Sequence, residues 1–171
     1  MHSRELETLL DKQALTELVA AYCRGVDRKD FNLLRRLYHK DSIDDHGDIF
    51  RGNGLAFVDF LEHSVPRLIT QHFIGNMLFV VEGHEAEGEI YAIRNHVHRT
   101  PEGLKDVVIG GRYLDRYVKE DGRWLFMYRR AVRDWMHVRP SHDQTLNYDP
   151  QRDARPDDAS YRDLPALARL F

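Results

Sequence analysis

The chain has 171 residues, with 28 acidic and 25 basic side chains, a net charge of −3 and a single cysteine, Cys23. That length fits one domain able to bury a core without metal or disulfide staples. The near balance of charge argues against a nucleic-acid or membrane-surface binder, which needs a basic stripe, and one cysteine excludes an intrachain disulfide and fits a reducing compartment.

Met1, His2, Ser3, Arg4 and Glu5 mix acids and bases around no apolar segment, so no signal peptide is expected. No run approaches the length of a membrane span, and the expectation is a soluble, cytoplasmic protein. Leu6, Leu9, Leu10, Ala14, Leu15, Leu18, Val19, Tyr22 and Cys23 recur at helical spacing, which predicts an amphipathic helix over 4–24 with Gly25 ending it. Cys23 on that helix reads as a packing residue rather than a reactive thiol. A second, shorter helix is expected near 28–38 and a third over 54–68, separated by a turn-rich stretch at 41–54 that reads as strand or loop.

From residue 72 the period changes. Four β-rich runs, 73–81, 88–98, 107–118 and 124–135, are separated by turns at Glu82-Gly83, Pro101-Glu102-Gly103 and Glu120-Asp121-Gly122. Helices followed by a meander of long strands predict an α+β domain with a curved antiparallel sheet and a pocket beneath the helices. From Pro140 onward four of the six prolines accumulate, so the sheet cannot continue. Residues 139–171 read as an arm packing on the domain of residues 1–138 or on a neighbouring subunit, with Tyr148, Tyr161, Leu164 and Phe171 to anchor it. There are no internal repeats.

The chemistry concentrates in two short motifs. Asp27 closes the run Tyr22-Cys23-Arg24-Gly25-Val26-Asp27, and His72 sits in Thr70-Gln71-His72-Phe73 at the mouth of the first long strand. A carboxylate beside an imidazole fixes the tautomer, raises the basicity of the ring and stabilises the imidazolium formed when it takes a proton. Plainer readings stand beside this one. Asp27 lies where an N-cap of the second helix would lie, His72 fits an ordinary strand end, and Tyr22 fits a core aromatic with its hydroxyl at a pocket rim. In Arg129-Arg130-Ala131-Val132-Arg133, alternation puts Arg129, Ala131 and Arg133 on one face. A buried arginine there implies a carboxylate, Asp27 being one choice, or an anionic group of a substrate.

The order and spacing of Asp27, His72 and the strand Trp124-Leu125-Phe126-Met127-Tyr128-Arg129 resemble the SnoaL-like family of the nuclear-transport-factor-2-like (NTF2-like) superfamily, over roughly residues 5–137. That family groups dehydratases and dehydrochlorinases, such as hexachlorocyclohexane dehydrochlorinase, bile-acid 7α-dehydratase and scytalone dehydratase. The resemblance implies a cone-shaped α+β fold, three N-terminal helices packed on a curved sheet around an apolar pocket. It also implies an Asp27–His72 dyad, with Arg129 and Tyr22 stabilising a developing anion. In such proteins the strand at 90–98 places a polar residue in the pocket, and His96 is the choice here. Either parity of that strand stands: Ile90, Ala92, Arg94, His96 and His98, or Tyr91, Ile93, Asn95 and Val97. His96 and His98 at i, i+2 also have the spacing of metal ligands, with His46 or Asp44 as a third. The resembling enzymes work without metal, so no metal or cofactor is expected, and the acidic run at 44–48 reads as a solvated turn.

The resulting expectation is a cofactor-independent lyase or isomerase acting on an apolar, ring-containing small molecule, with walls from Phe57, Leu61, Phe73, Ile109, Tyr113, Met127 and Ala131. The alternative is a non-catalytic small-molecule-binding domain or accessory subunit on the same fold. Assembly as a homo-oligomer is expected, a trimer ahead of a dimer, with neither nucleic acid nor membrane as partner.

Overall fold

Apolar residues at three- and four-residue spacing form one long helix, α1 (His2–Asp27), whose second half buries Leu15, Leu18, Val19, Tyr22, Cys23 and Val26. The structure is a computed structural model that describes residues 2–66, 68–141 and 158–169. Leu6, Leu9 and Leu10 continue the pattern but lie exposed. Gly25 does not end the helix, which runs through it to Asp27. A Cβ at Gly25 would stand 2.6 Å from Leu34 Cδ2, so this glycine serves close helix packing rather than termination.

The chain then turns through Lys29, which has a φ of 53°, into α2 (Phe31–Leu37). Asp30 is the N-cap, accepting the Leu33 backbone N–H at 2.9 Å. The cap is therefore three residues beyond Asp27, which is left for another role. Strand β1 (Tyr38–Asp45) follows directly, then β2 (Arg51–Asn53) and α3 (Gly54–Ser64), which is capped by the Asn53 side chain. The expectation of three N-terminal helices thus meets one 26-residue helix and two shorter ones, the last arriving only after two strands.

Four long strands complete the sheet: β3 (Ile69–Glu82), β4 (Glu85–Thr100), β5 (Gly103–Glu120) and β6 (Arg123–Pro140). Each exceeds its predicted length by several residues. The turn between β5 and β6 places Asp121 and Gly122 at φ 49° and 77°, the positive pair whose twist suits a tight hairpin. The order is β2-β1-β6-β5-β4-β3, a curved sheet that does not close. It is not wholly antiparallel, because β1 lies parallel to β6. Two irregularities bend β6 against β5, one between Arg116 and Tyr117 and one between Gly110 and Gly111. The core lies between the sheet and the second half of α1, α2 and α3.

Much of the expected C-terminal arm, residues 142–157, lies outside the described residues. Within residues 158–169, α4 (Ala159–Asp163) follows an ion pair of Asp158 with Arg28 at 3.1 Å. The Tyr161 hydroxyl donates to Asp30 Oδ2 at 2.8 Å, and Arg24 lies 4.5 Å above the Tyr161 ring. No helix of the described residues is long and apolar enough to cross a membrane.

Replacing Gly25 by Ala tests the helix packing. In an exposed helix the change adds roughly 1 kcal/mol of stability. Here the new methyl meets Leu34, and overpacking of about 1–3 kcal/mol outweighs the gain. Urea unfolding of Gly25→Ala is expected to show a lowered midpoint.

Candidate active site

Asp27 ends α1 and His72 is the fourth residue of β3, so the pair clasps the helix to the first long strand. His72 Nδ1–H donates to Asp27 Oδ1 at 2.7 Å, and the His72 backbone N–H donates to Oδ2 at 2.9 Å. One carboxylate thus holds both the ring and the backbone of its partner, and Nε2 carries the lone pair. The two side chains are 11% and 4% exposed. Burial alone would raise the Asp27 carboxyl, but the hydrogen bonds and charge of His72 reverse this and hold it below the usual carboxylate range.

Tyr22 meets the His72 ring edge-on, centroids 6.3 Å apart at 84°. Burial and the neighbouring Tyr113 push its phenol well above the ordinary range, so it stays neutral and keeps its O–H as a donor. The unbroken helix still brings Tyr22 and Asp27 to one imidazole, because His72 lies across the last turn and a half of α1. On β4, Ile90, Ala92 and Arg94 are buried while Tyr91 and Ile93 are exposed, which selects the parity that includes His96. The His96 ring lies 5.9 Å from that of His72. Burial, with the charges of His72, His98 and Arg94, pushes His96 down to about 3, so it is neutral in the folded protein.

Arg129 is fully buried, but its carboxylate is not Asp27. It faces Asp115 directly across β5 and β6, donating from Nε at 2.9 Å and from Nη2 at 2.6 Å. The rings of Tyr22, Tyr113 and Phe126 surround its guanidinium at 4.1, 4.2 and 4.1 Å. Its charge is balanced inside the core, so it positions the aromatic floor of the site rather than offering a free cation.

A second carboxylate–imidazole pair corrects the reading of residues 44–48 as a solvated turn. Asp44 has no exposure, accepts the Tyr38 hydroxyl at 2.7 Å and holds His46 Nδ1 at 2.5 Å. His46 stacks on Phe57, centroids 4.4 Å apart at 19°. The signal was available as Asp-x-His at the end of a strand, since i, i+2 residues of extended chain share a face. Among the described residues, no group of three or more His, Cys, Asp or Glu side chains could hold a metal ion.

A cavity of about 330 Å³ has His46, Arg94, Ile109, Ala131 and Arg133 in its lining. Asp27, Tyr22, His72 and His96 do not line it, and Arg94, opposite His72 in the β3–β4 register, links it to the dyad. Ile109 and Ala131 line this cavity, while Phe57, Leu61 and Tyr113 are buried in the core and do not line it. Phe73 and Met127 are not walls. Phe73 lies 68% exposed on the other face of β3. Phe126 pairs with Tyr117 and Tyr128 with Arg116, which leaves Met127 as the extra residue of a bulge, and it lines a separate cavity with Val80 and Tyr128. Arg94 is the residue that sequence reasoning passed over, although it lay on the selected parity of β4.

Two outcomes test this arrangement. Asp115→Asn leaves a buried guanidinium unpaired and is expected to cost about 3–5 kcal/mol, whereas the double change to a matched apolar pair costs less than that single change. Because His96 is depressed from its ordinary 6.5 to about 3, the unfolded chain binds more protons between those values, and stability falls as pH drops through that window. Urea unfolding is expected to lose about 2 kcal/mol from this group between pH 7 and pH 5, a slope that His96→Gln flattens.

The sequence matches the SnoaL-like domain over residues 7–130. No match to a curated protein was found. Among solved structures, a type 2 hexachlorocyclohexane dehydrochlorinase superposes with a TM-score of 0.73 at 19% identity, covering 83% of this chain and 99% of its own. A candidate scytalone dehydratase from Novosphingobium aromaticivorans gives 0.69 at 23% identity, with 80% and 95% covered. A type 3 hexachlorocyclohexane dehydrochlorinase from Novosphingobium barchaimii gives 0.69 at 20% identity, with 79% and 94% covered. These likenesses establish the fold, and the match over residues 7–130 establishes the family: the chain is a member of the SnoaL-like domain family, with an NTF2-like fold.

Proposed function

We propose that this protein is a cofactor-independent lyase or isomerase of the dehydratase kind, in which His72 removes a proton from carbon of an apolar, ring-containing small molecule. The observation that carries the reading is the two-point grip of Asp27 on His72, ring and backbone together. A structural carboxylate such as Asp115 also uses both oxygens, but those of Asp27 both hold one residue, by its backbone N–H and its ring, and that ring can take a proton at Nε2. Asp27 stabilises the imidazolium, and Tyr22 donates toward the anion formed at carbon or its carbonyl oxygen. Arg129 acts through Tyr22 and Tyr113, not on the substrate. The occurrence of dehydrochlorinases and a candidate dehydratase among similar folds supports the same class.

Domain limits and assembly follow the same reading. Residues 1–138 carry the site, β6 continues to Pro140, and residues 158–169 dock on the domain through Asp158 to Arg28 and Tyr161 to Asp30. Exposed Phe73 and Ile93, paired in register on the outer face of the sheet, and exposed Leu6, Leu9 and Leu10 on α1 support a homo-oligomer, a trimer ahead of a dimer. Light scattering is expected to give a mass of two or three 20.1 kDa chains, and a monomer at micromolar concentration would remove this part.

Proton abstraction is read directly by hydrogen–deuterium exchange. A panel of cyclic ketones, neutral and carboxylate-bearing, is incubated with the protein in deuterium oxide. Exchange of α-hydrogens in at least one is expected by proton NMR, and His72→Ala is expected to slow it by about 10²–10⁴-fold. Asp27→Asn keeps the shape but removes the charge, and should lower kcat far more than it raises KM. Since Asp27 lies below the usual carboxylate range, it is ionised at neutral pH, and its stabilising contribution is lost only as pH falls through its folded value. The rate should rise with pH through one ionisation belonging to the pair. Exchange that persists unchanged in His72→Ala would sink the mechanism, and a ligand bound but returned unaltered would point to a carrier.

A further inference from the structure

Two arginines among the described residues are buried, Arg129 at 0% exposed and Arg94 at 7%, and they are treated oppositely. Arg129 has Asp115 and three aromatic rings. Arg94 has no carboxylate within ion-pair reach among the described residues, and its Nε is buried with no hydrogen-bond partner. Its one packed contact of note is the Tyr113 ring, 5.2 Å below the guanidinium. A buried cation left unpaired is costly, and folds keep one where something else supplies the charge.

The surroundings of Arg94 point to that supplier. The residue lines the 330 Å³ cavity, where Arg130 and Arg133 stand against one acid, Asp48. Gly111 keeps the space clear, since a Cβ there would come within 3.1 Å of Arg94 Nη2 and 2.0 Å of the Val132 carbonyl oxygen. Arg94 also lies directly opposite His72 in the β3–β4 register, and such pairs on one face hold their Cβ atoms roughly 5 Å apart.

We infer that Arg94 is the anchor for a carboxylate on the substrate, so that the protein takes apolar ring compounds bearing a carboxylate rather than neutral ones. A planar guanidinium meets a carboxylate through two parallel hydrogen bonds, which fixes orientation as well as charge. Ile109 and Ala131 supply the apolar wall for the ring. The carboxylate on Arg94 then leaves the adjoining carbon on the side of His72. This names the substrate class for the reaction site proposed above and rests on that reading.

The test is a binding measurement that needs no turnover. Calorimetry with cyclohexanecarboxylate and benzoate, each against its own carboxamide, is run on the wild type, Arg94→Gln, Arg94→Lys and, as a control outside the cavity, Arg162→Gln. Wild type and Arg162→Gln are expected to prefer the carboxylates at least tenfold. Arg94→Gln is expected to lose that preference and Arg94→Lys to keep part of it. Should Arg94→Gln fail to fold, carboxylate binding to the wild type must still shift the Arg94 side-chain Nε and Ile109 methyl resonances. Equal affinity for carboxylate and amide in the wild type, absence of binding by either, or a preference surviving in Arg94→Gln overturns the inference. Carboxylate selectivity without α-hydrogen exchange keeps the anchor and removes the lyase, whereas exchange without selectivity does the reverse.

Discussion

The buried Arg129–Asp115 pair is the constraint on which the site is built. Its two residues are direct cross-strand neighbours, and Asp115 also accepts the Tyr117 hydroxyl at 2.7 Å, so three donors satisfy one carboxylate. Charge–π contacts with Tyr113 and Phe126 hold the guanidinium within the sheet, and Tyr22 of α1 closes the cage from above. The helix is thereby fixed against the sheet by a charge as well as by apolar burial. Fixing Tyr22 fixes the last turn of α1, and with it the reach of Asp27 to His72. The 2.7 Å contact of Asp27 with His72 thus depends on an ion pair sealed in the core.

Charge in this domain follows one rule with one exception. Each buried or nearly buried carboxylate of the pocket has a partner: Asp27 has His72, Asp44 has Tyr38 and His46, and Asp115 has Arg129 and Tyr117. His96 satisfies the rule by staying neutral. Arg94 is the exception, on the strand facing His72. In a medium of low polarity an unmatched cation is a strong attractor for the anion that completes it, which is what sets Arg94 apart from the matched groups.

The amphipathic period of α1, the alternation of the long strands and the turn residues made the fold class readable, and the order of Asp27 and His72 made the dyad readable. What escaped depends on information that local pattern does not hold. Gly25 looks like a helix terminus until Leu34 is known to press on it, and Asp27 looks like a cap until Asp30 is seen three residues on. Arg129 needed a carboxylate, but only the strand register says that it is Asp115. Alternation gives two faces of β4 without saying which is inside; burial of Ile90 and Arg94 decides it. Met127 shares the parity of Arg129, yet points the other way because a bulge intervenes.

That bulge and its neighbour explain how one strand serves both the core and the cavity. Strict alternation cannot turn both Phe126 and Arg129 inward, three residues apart. The extra residue Met127 shifts the phase so that both are fully buried, and the aromatic cage closes. Further along β6, Gly110 pairs with Trp135 and Gly111 with Arg133, so Asp134 is the extra residue. Trp135 then lies over Gly110, where a Cβ would stand 2.0 Å from its ring, while at Gly111 a Cβ would meet the Val132 carbonyl oxygen and Arg94 Nη2. The first bulge seals the Arg129 charge into the core, and the second lies beside the cavity that Arg94 lines. Two single-residue insertions in one strand thus separate the surroundings of the two buried arginines.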